Sequence, residues 1–274
     1  MPDLAIEQAL ATAGPAGVTV TARSPGFLEE WQPEAERLFL SFGAPVEPYS
    51  IPAVFAQPLD RNFVAVVQVI APNPPDVRCH ILAVPLSVYR SVGDPFLLAE
   101  QFPAPWDTRV VLPTLPAQDE WATPRTVDKV RRVLQEDDGP TLLGAAQALV
   151  DGGRIVFERP FPAPDLLRRL WTLLPDSTRS ELWPASYAFG NALGFHALVV
   201  PHADPAAYSG YLTEPMAGDY PEGRYELAVQ TAAEAGDQSA LDRLFARRSG
   251  RQTLQLALVL LVVMMGLALA ARFL

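Results

Sequence analysis

Few side chains in this sequence can act as nucleophiles or relay protons. The chain has one cysteine, Cys79, and three histidines, His80, His196 and His202. Cys79 and His80 are neighbours in VRCHILAV (77–84), a run rich in β-branched residues that reads as a strand. Adjacent strand side chains point to opposite faces, so these two cannot pair as thiolate and imidazole. Cys79 would have to meet His196 or His202 across the fold, and nothing near it resembles a cysteine-hydrolase signature. A buried, inert thiol is the simpler expectation. Ser186 lies in the aromatic segment ELWPASYAFGNALGFH (181–196), outside any GxSxG elbow. One enzymatic reading therefore stays open: a membrane-associated hydrolase using Cys79 or Ser186 with a histidine. No HxxxH or HExxH spacing occurs and a lone cysteine excludes CxxC, so neither a metal nor a cofactor is expected. His80 and His196 are expected at strand starts, each with a ring nitrogen bonded to the backbone. GPAG (14–17) precedes a strand and lacks Gly-Lys-Ser/Thr, so it reads as a turn and not a phosphate loop.

The elements that would position these residues follow from periodicity and punctuation. GVTVTAR (17–23) alternates with the period of a strand, and SPG (24–26) reads as a turn. PEAERLFLSFG (33–43) predicts a short helix with Pro33 at its first position and Gly43 as its stop. FVAVVQVI (63–70) and VRCHILAV (77–84), separated by PNPPD, predict an antiparallel hairpin. A short helix follows at 94–102. TPRTVDKVRRVLQ (123–135) predicts a helix capped by Thr123, and GPTLLGAAQALVDGG (139–153) a second. RIVFER (154–159) and LGFHALVV (193–200) read as strands, with the amphipathic helix PDLLRRLWTLLP (164–175) between them. Two helices near 221–235 and 238–248 close the folded part, separated by Gly236-Asp237. Arg131-Arg132 and Arg168-Arg169 are expected on solvated helix faces beside carboxylates. The fold class expected is α+β: an antiparallel sheet with packed helices, followed by a C-terminal transmembrane helix. HxLxVP occurs twice, at His80 and at His196. It reads either as two related halves, about 15–122 and 123–250, or as two buried strands drawn from a limited hydrophobic alphabet.

Charge separates the chain into a body and a tail. All 31 acidic residues lie at or before Asp242, while five of the 21 basic ones lie beyond it. The body thus has 16 basic against 31 acidic residues, a net charge of −15, which argues against nucleic acid. Twenty arginines against the single Lys129 read as the codon bias of a GC-rich bacterial genome. The opening MPDLAIEQALATAGPAG lacks a basic n-region and does not read as a signal peptide. Leu254 to Ala271 carry no charge, and Gln255 is their only polar residue. Eighteen residues at 1.5 Å each make about 27 Å of helix, near the ~30 Å hydrocarbon core. Ten of them are Leu or Val, together contributing about −3 to −6 kcal/mol towards insertion. Arg243, Arg247, Arg248 and Arg251 precede this run and Arg272 follows it. The positive-inside rule then predicts a single-pass tail anchor (251–274) in the bacterial inner membrane, with a cytoplasmic domain over 1–250. The four arginines would lie against the anionic membrane surface. Gly266 and Ala270 form a small-xxx-small pair of the kind that supports weak homodimers.

Two stretches, EQALATAGPAGVTVTARSPGF (7–27) and LWTLLPDSTRSELWPASYAFG (170–190), resemble the N-terminal domain of the bacterial GTPase-associated protein family. The resemblance rests on a glycine turn, a strand and an SPG-type motif, then a helix, Leu-Pro, an arginine and an aromatic-rich segment. It implies a non-catalytic adaptor working with a GTPase partner in a signalling or defence assembly. No catalytic residue comes with it. The function expected is that of a membrane scaffold recruiting a protein partner. Its contacts would be Ser24, Pro25, Gly26 and Phe27 in the turn, with Trp183, Tyr187, Phe189 and Asn191 in the aromatic segment.

Overall fold

The computed structural model describes residues 5–14, 17–42, 47–74, 76–106, 111–117, 124–221 and 223–246. The expected anchor, with Arg247, Arg248 and Arg251, lies outside these residues, as do Gly43 and Thr123. Among the described residues no helix is long and apolar enough to cross a membrane.

The chain builds a mixed α+β fold. In order, its elements are β1 (Ala5–Gly14), β2 (Gly17–Arg23), α1 (Gln32–Phe42), β3 (Tyr49–Pro58), β4 (Phe63–Asn73), β5 (Asp76–Pro85), α2 (Leu86–Val92) and α3 (Pro95–Gln101). There follow β6 (Leu115–Pro116), α4 (Val127–Gln135), α5 (Gly139–Val150), β7 (Ile155–Glu158), α6 (Pro164–Leu173), α7 (Asp176–Arg179) and β8 (Pro184–Ala185). The described chain closes with β9 (Ala197–Val200), α8 (Glu214–Gly218), α9 (Arg224–Ala235) and α10 (Gln238–Phe245). The sheet runs β2-β1-β5-β4-β3-β8-β9-β7, with β6 added to β1. It is antiparallel from β2 to β8 and parallel where β9 meets β8 and β7.

The expected hairpin over 63–84 forms the centre of this sheet. Covered on both faces, β4 and β5 are buried almost throughout, which is why they read as continuous apolar runs. α3 packs on β3 and β4, α6 reaches β3, and the fully buried Trp171 of α6 meets Phe96 of α3 edge-on at 5.8 Å. β1 and β3 were not expected from the sequence, and each has a physical reason. β1 places Glu7 and Gln8 among alanines, which masks the strand period. β3 contains Pro52, and its register slips between Tyr49 and Ala53, where the proline's missing N–H leaves no gap in the ladder.

Of the boundaries that differ from expectation, two have a clear local cause. α4 is capped by Thr126, whose Oγ1 accepts from Lys129 N at 3.3 Å, and not by Thr123. β9 starts four residues later than expected, because Leu193–His196 is occupied by a turn in which Gly194 takes φ +64°. The two halves of the chain meet within one sheet and one core: Phe55 of β3 pairs with Ala185 of β8. The two HxLxVP stretches stand in unlike surroundings. The first is a central antiparallel strand; the second leads into a short parallel one.

Candidate functional site

A single cross-strand row organises the expected contact segments. Glu7 pairs with Ala83, Ala83 with Ala65, and Ala65 with Gln57, so the four side chains line one face of the sheet. At one end of the row, Glu7 Oε2 accepts from Ser24 Oγ at 2.5 Å, Gly26 N at 3.1 Å and Thr114 Oγ1 at 3.0 Å. At the other, Gln57 Nε2 donates to Leu193 O at 3.1 Å. The SPGF turn and the aromatic segment are therefore moored on the same face, three strand spacings or roughly 14 Å apart.

The turn shows how little of its motif faces solvent. Ser24 N donates to Gln8 O, Phe27 N closes back on Ser24 O, and both side chains are buried. Phe27 packs edge-on against Trp31 at 5.3 Å, and Trp31 lies 4.7 Å from Phe63. Pro25 stays exposed, as does Leu28, the first residue after the turn. Gly26 is required by proximity: a Cβ there would come within 2.3 Å of Glu7 Oε1. That carboxylate is held by three donors and cannot swing away without losing them. Gly26→Ala should cost about 1–3 kcal/mol, the usual range for overpacking, read as a lower midpoint in urea denaturation. A midpoint equal to that of the parent would show that the turn is not locked.

Beside the turn lies a groove of about 640 Å³. Its walls are largely apolar, from Leu28, Trp31, Phe63, Pro85 and Leu86, with Glu7 and Arg90 as charged members. α2 borders this groove through Leu86, Ser87 and Arg90, while its Tyr89 stacks on Trp183 at 5.8 Å. One helix thus connects the groove to the aromatic segment. In that segment Tyr187 is buried, donates to Pro160 O at 2.7 Å and packs between Tyr49 and Phe189. Asn191 Oδ1 accepts from Tyr211 OH at 2.6 Å. Trp183, Phe189 and Asn191 remain half-buried. Of the four expected surface arginines only Arg243 falls among the described residues, exposed on α10.

The side chains with nucleophilic or proton-relay chemistry are engaged elsewhere. Cys79 is fully buried, and burial pushes its thiol pKa up. Ser186 is equally buried; its Oγ accepts from Val54 N at 2.7 Å, which fixes β8 to β3. His80, expected to bond the backbone, instead sits mid-strand between two glutamines. Its Nε2 donates to Gln8 Oε1 at 2.9 Å, and its Nδ1 lies 3.3 Å from the Gln68 amide nitrogen. That arrangement suits the neutral ring, and burial lowers its pKa to about 4. His196 does bond the backbone: its Nδ1 accepts from Trp183 N at 3.0 Å. His202 is exposed, 3.4 Å from Glu158. Among the described residues no histidine is hydrogen-bonded to Cys79 or Ser186, and no group of metal-binding side chains converges. Arg168 and Arg169 have the carboxylate neighbours expected of them, Glu100 for the first and Glu136 with Asp138 for the second.

Glu7 and α2 did not stand out in the sequence. A Glu-Gln pair within an otherwise small and apolar run, shortly before an SPG turn, is the local signal for the first. Compared with known proteins, the chain matches no protein-family model, and no curated protein is significantly similar to it.

Proposed function

We propose that this chain is a membrane-anchored adaptor. In this reading the folded body lies on the cytoplasmic side of a bacterial inner membrane and recruits a protein partner, a GTPase, through the groove beside the SPGF turn. The observation that carries it is the link made by α2, which borders an apolar groove on one side and stacks Tyr89 on Trp183 on the other. Apolar surface with a few charged residues around it, such as Arg90, is the composition of a contact that holds another protein. The engaged state of Cys79, Ser186 and the histidines supports binding over catalysis. Leu254–Ala271 would supply the anchor, and Gly266 with Ala270 a weak self-contact within the membrane.

The test is site-specific photocrosslinking in native membranes. A photoreactive residue at Leu28 or Ser87 should yield adducts with one GTP-binding protein, and the same residue at the exposed Phe161 should not. Adducts at Phe161 but at neither groove position would move the contact elsewhere. No adduct in the presence of GTP, GDP or neither would count against a GTPase partner. Removing residues 251–274 should shift the chain from the membrane to the soluble fraction, and retention on the membrane would overturn the anchor.

A further inference from the structure

A second cavity, of about 500 Å³, is bounded by α3, α4, α6, α7 and α10 and by the end of α2. Four cationic side chains line it: Arg125, Lys129, Arg168 and Arg179. Four carboxylates line it too, so charge alone decides nothing. Hydrogen-bond capacity does.

The carboxylates are largely occupied. Asp94 Oδ1 caps α3 by accepting from Phe96 N and Leu97 N, and its Oδ2 accepts from Arg179 at 2.8 Å. Glu100 faces Arg168 at 3.1 Å, and Asp242 accepts from Gln238 at 2.8 Å. Asp176 serves both Arg125 and Arg179, and its side chain is 63% exposed. The donors, by contrast, are in surplus. Arg125 donates to the carbonyls of Thr172 and Leu174 and to Asp176, using three of its five N–H groups. The Nη1 of Arg179 lies 3.7 Å from Asp176, beyond hydrogen-bond reach. The Nε of Arg168 is sealed from solvent without a partner, and Lys129, the only lysine in the chain, has no ion pair among the described residues. Arg125 and Arg179 are each only 8% exposed at the side chain. Burial, reinforced by the neighbouring Arg179, lowers the pKa of Arg125 to about 10. Among the described residues Arg125 thus has only the largely exposed Asp176 as a carboxylate partner, and Arg179, paired with Asp94, keeps Nη1 without a hydrogen bond to either.

A group that brings several acceptor oxygens and two or more negative charges meets this surplus. Guanidinium forks match phosphate oxygens in pairs, and an ammonium adds a point charge. The cavity is also of the size that holds small molecules, and the Phe245 ring, 3.7 Å from the Arg125 guanidinium, gives it an apolar wall. We propose that this cavity binds the phosphate or diphosphate group of a small molecule, with Arg125 and Arg179 behind it and Lys129 and Arg168 at its rim. This site is separate from the groove at the SPGF turn and does not rest on the adaptor reading. Because Phe245 and Asp242 belong to α10, an occupied site would also fasten that helix to α4, α6 and α7.

The test uses the full chain in detergent, titrated with inorganic pyrophosphate at constant ionic strength. Pyrophosphate should raise the melting temperature by several degrees and broaden its own ³¹P resonance, whereas sodium chloride should do neither. Lys129→Met and Arg168→Gln sit at the rim and should fold normally while weakening the response at least tenfold. A second arm uses vesicles with and without phosphatidylglycerol. Binding to the anionic vesicles alone, abolished by the same two variants, assigns the phosphate to a lipid headgroup. No response in either arm, or a response unchanged in both variants, overturns the proposal.

Discussion

Replacing Arg179 with methionine should destabilise the protein by about 3–5 kcal/mol, the range for removing one partner of a buried ion pair. The guanidinium donates through Nε to Gly93 O at 3.1 Å and through Nη2 to Asp94 at 2.8 Å. Both side chains are withdrawn from water, 8% exposed for Arg179 and 17% for Asp94. Without the arginine, Asp94 is left as a poorly solvated charge at the start of α3, and Gly93 O loses its donor. At the scale of a 250-residue domain such a loss lowers the melting temperature by roughly 10 °C. Adding Asp94→Asn should recover part of it, because asparagine still caps a helix while carrying no charge. A loss below about 1 kcal/mol in urea denaturation would place the pair with ordinary surface contacts.

The second large effect is a pH dependence carried by His80. The unfolded chain takes up this proton near 6.5, while the folded chain refuses it until about 4. Between those values the unfolded state holds more protons, so stability falls as pH falls; above about 6.5 the contribution is complete and flat. A shift of this size corresponds to about 3 kcal/mol. Structurally, the protonated ring would turn Nδ1 into a donor facing the Gln68 amide, which already donates to Phe102 O at 2.8 Å. His196, also lowered by burial, adds in the same direction. Urea midpoints at pH 7.5, 6.0, 5.0 and 4.5 for the parent and a His80→Asn variant isolate this residue. Parallel curves for the two proteins would remove His80 as the source.

What could be read from the residues alone was local. β4 and β5 were legible because strands buried on both faces are written in β-branched residues, and α5 and α6 because their apolar spacing suits helices. The SPG turn was visible as a turn. That Ser24 and Phe27 face inward was not, because the residue anchoring them, Glu7, lies 17 positions before Ser24 and meets it only through the pairing of β1 with β2. The cap of α4 was misplaced by three residues because Thr123 and Thr126 offer the same side chain. Arg125 lies between them and is drawn towards the end of α6, where it meets Leu174 O and Asp176. The arginine-lined cavity had no local pattern at all. Its walls come from six helices distributed between residues 91 and 245.

The strand order carries a consequence for how the chain is made. β1 is synthesised first but is flanked by β5, and the Gln8–His80 bond that ties them spans 72 residues. The Ser186–Val54 bond spans 132. Until those distant partners emerge, only β1–β2, β3–β4 and β4–β5 can close, as local hairpins that form within microseconds. The long-range joins set the overall rate, which slows as contacts become more distant in sequence. In a nascent chain that ends before β8, β3 has one open edge beside an apolar face, the configuration that templates aggregation. Release from the ribosome and closure of the sheet are thus coupled events for this protein, and chaperone demand should peak before residue 186 has emerged.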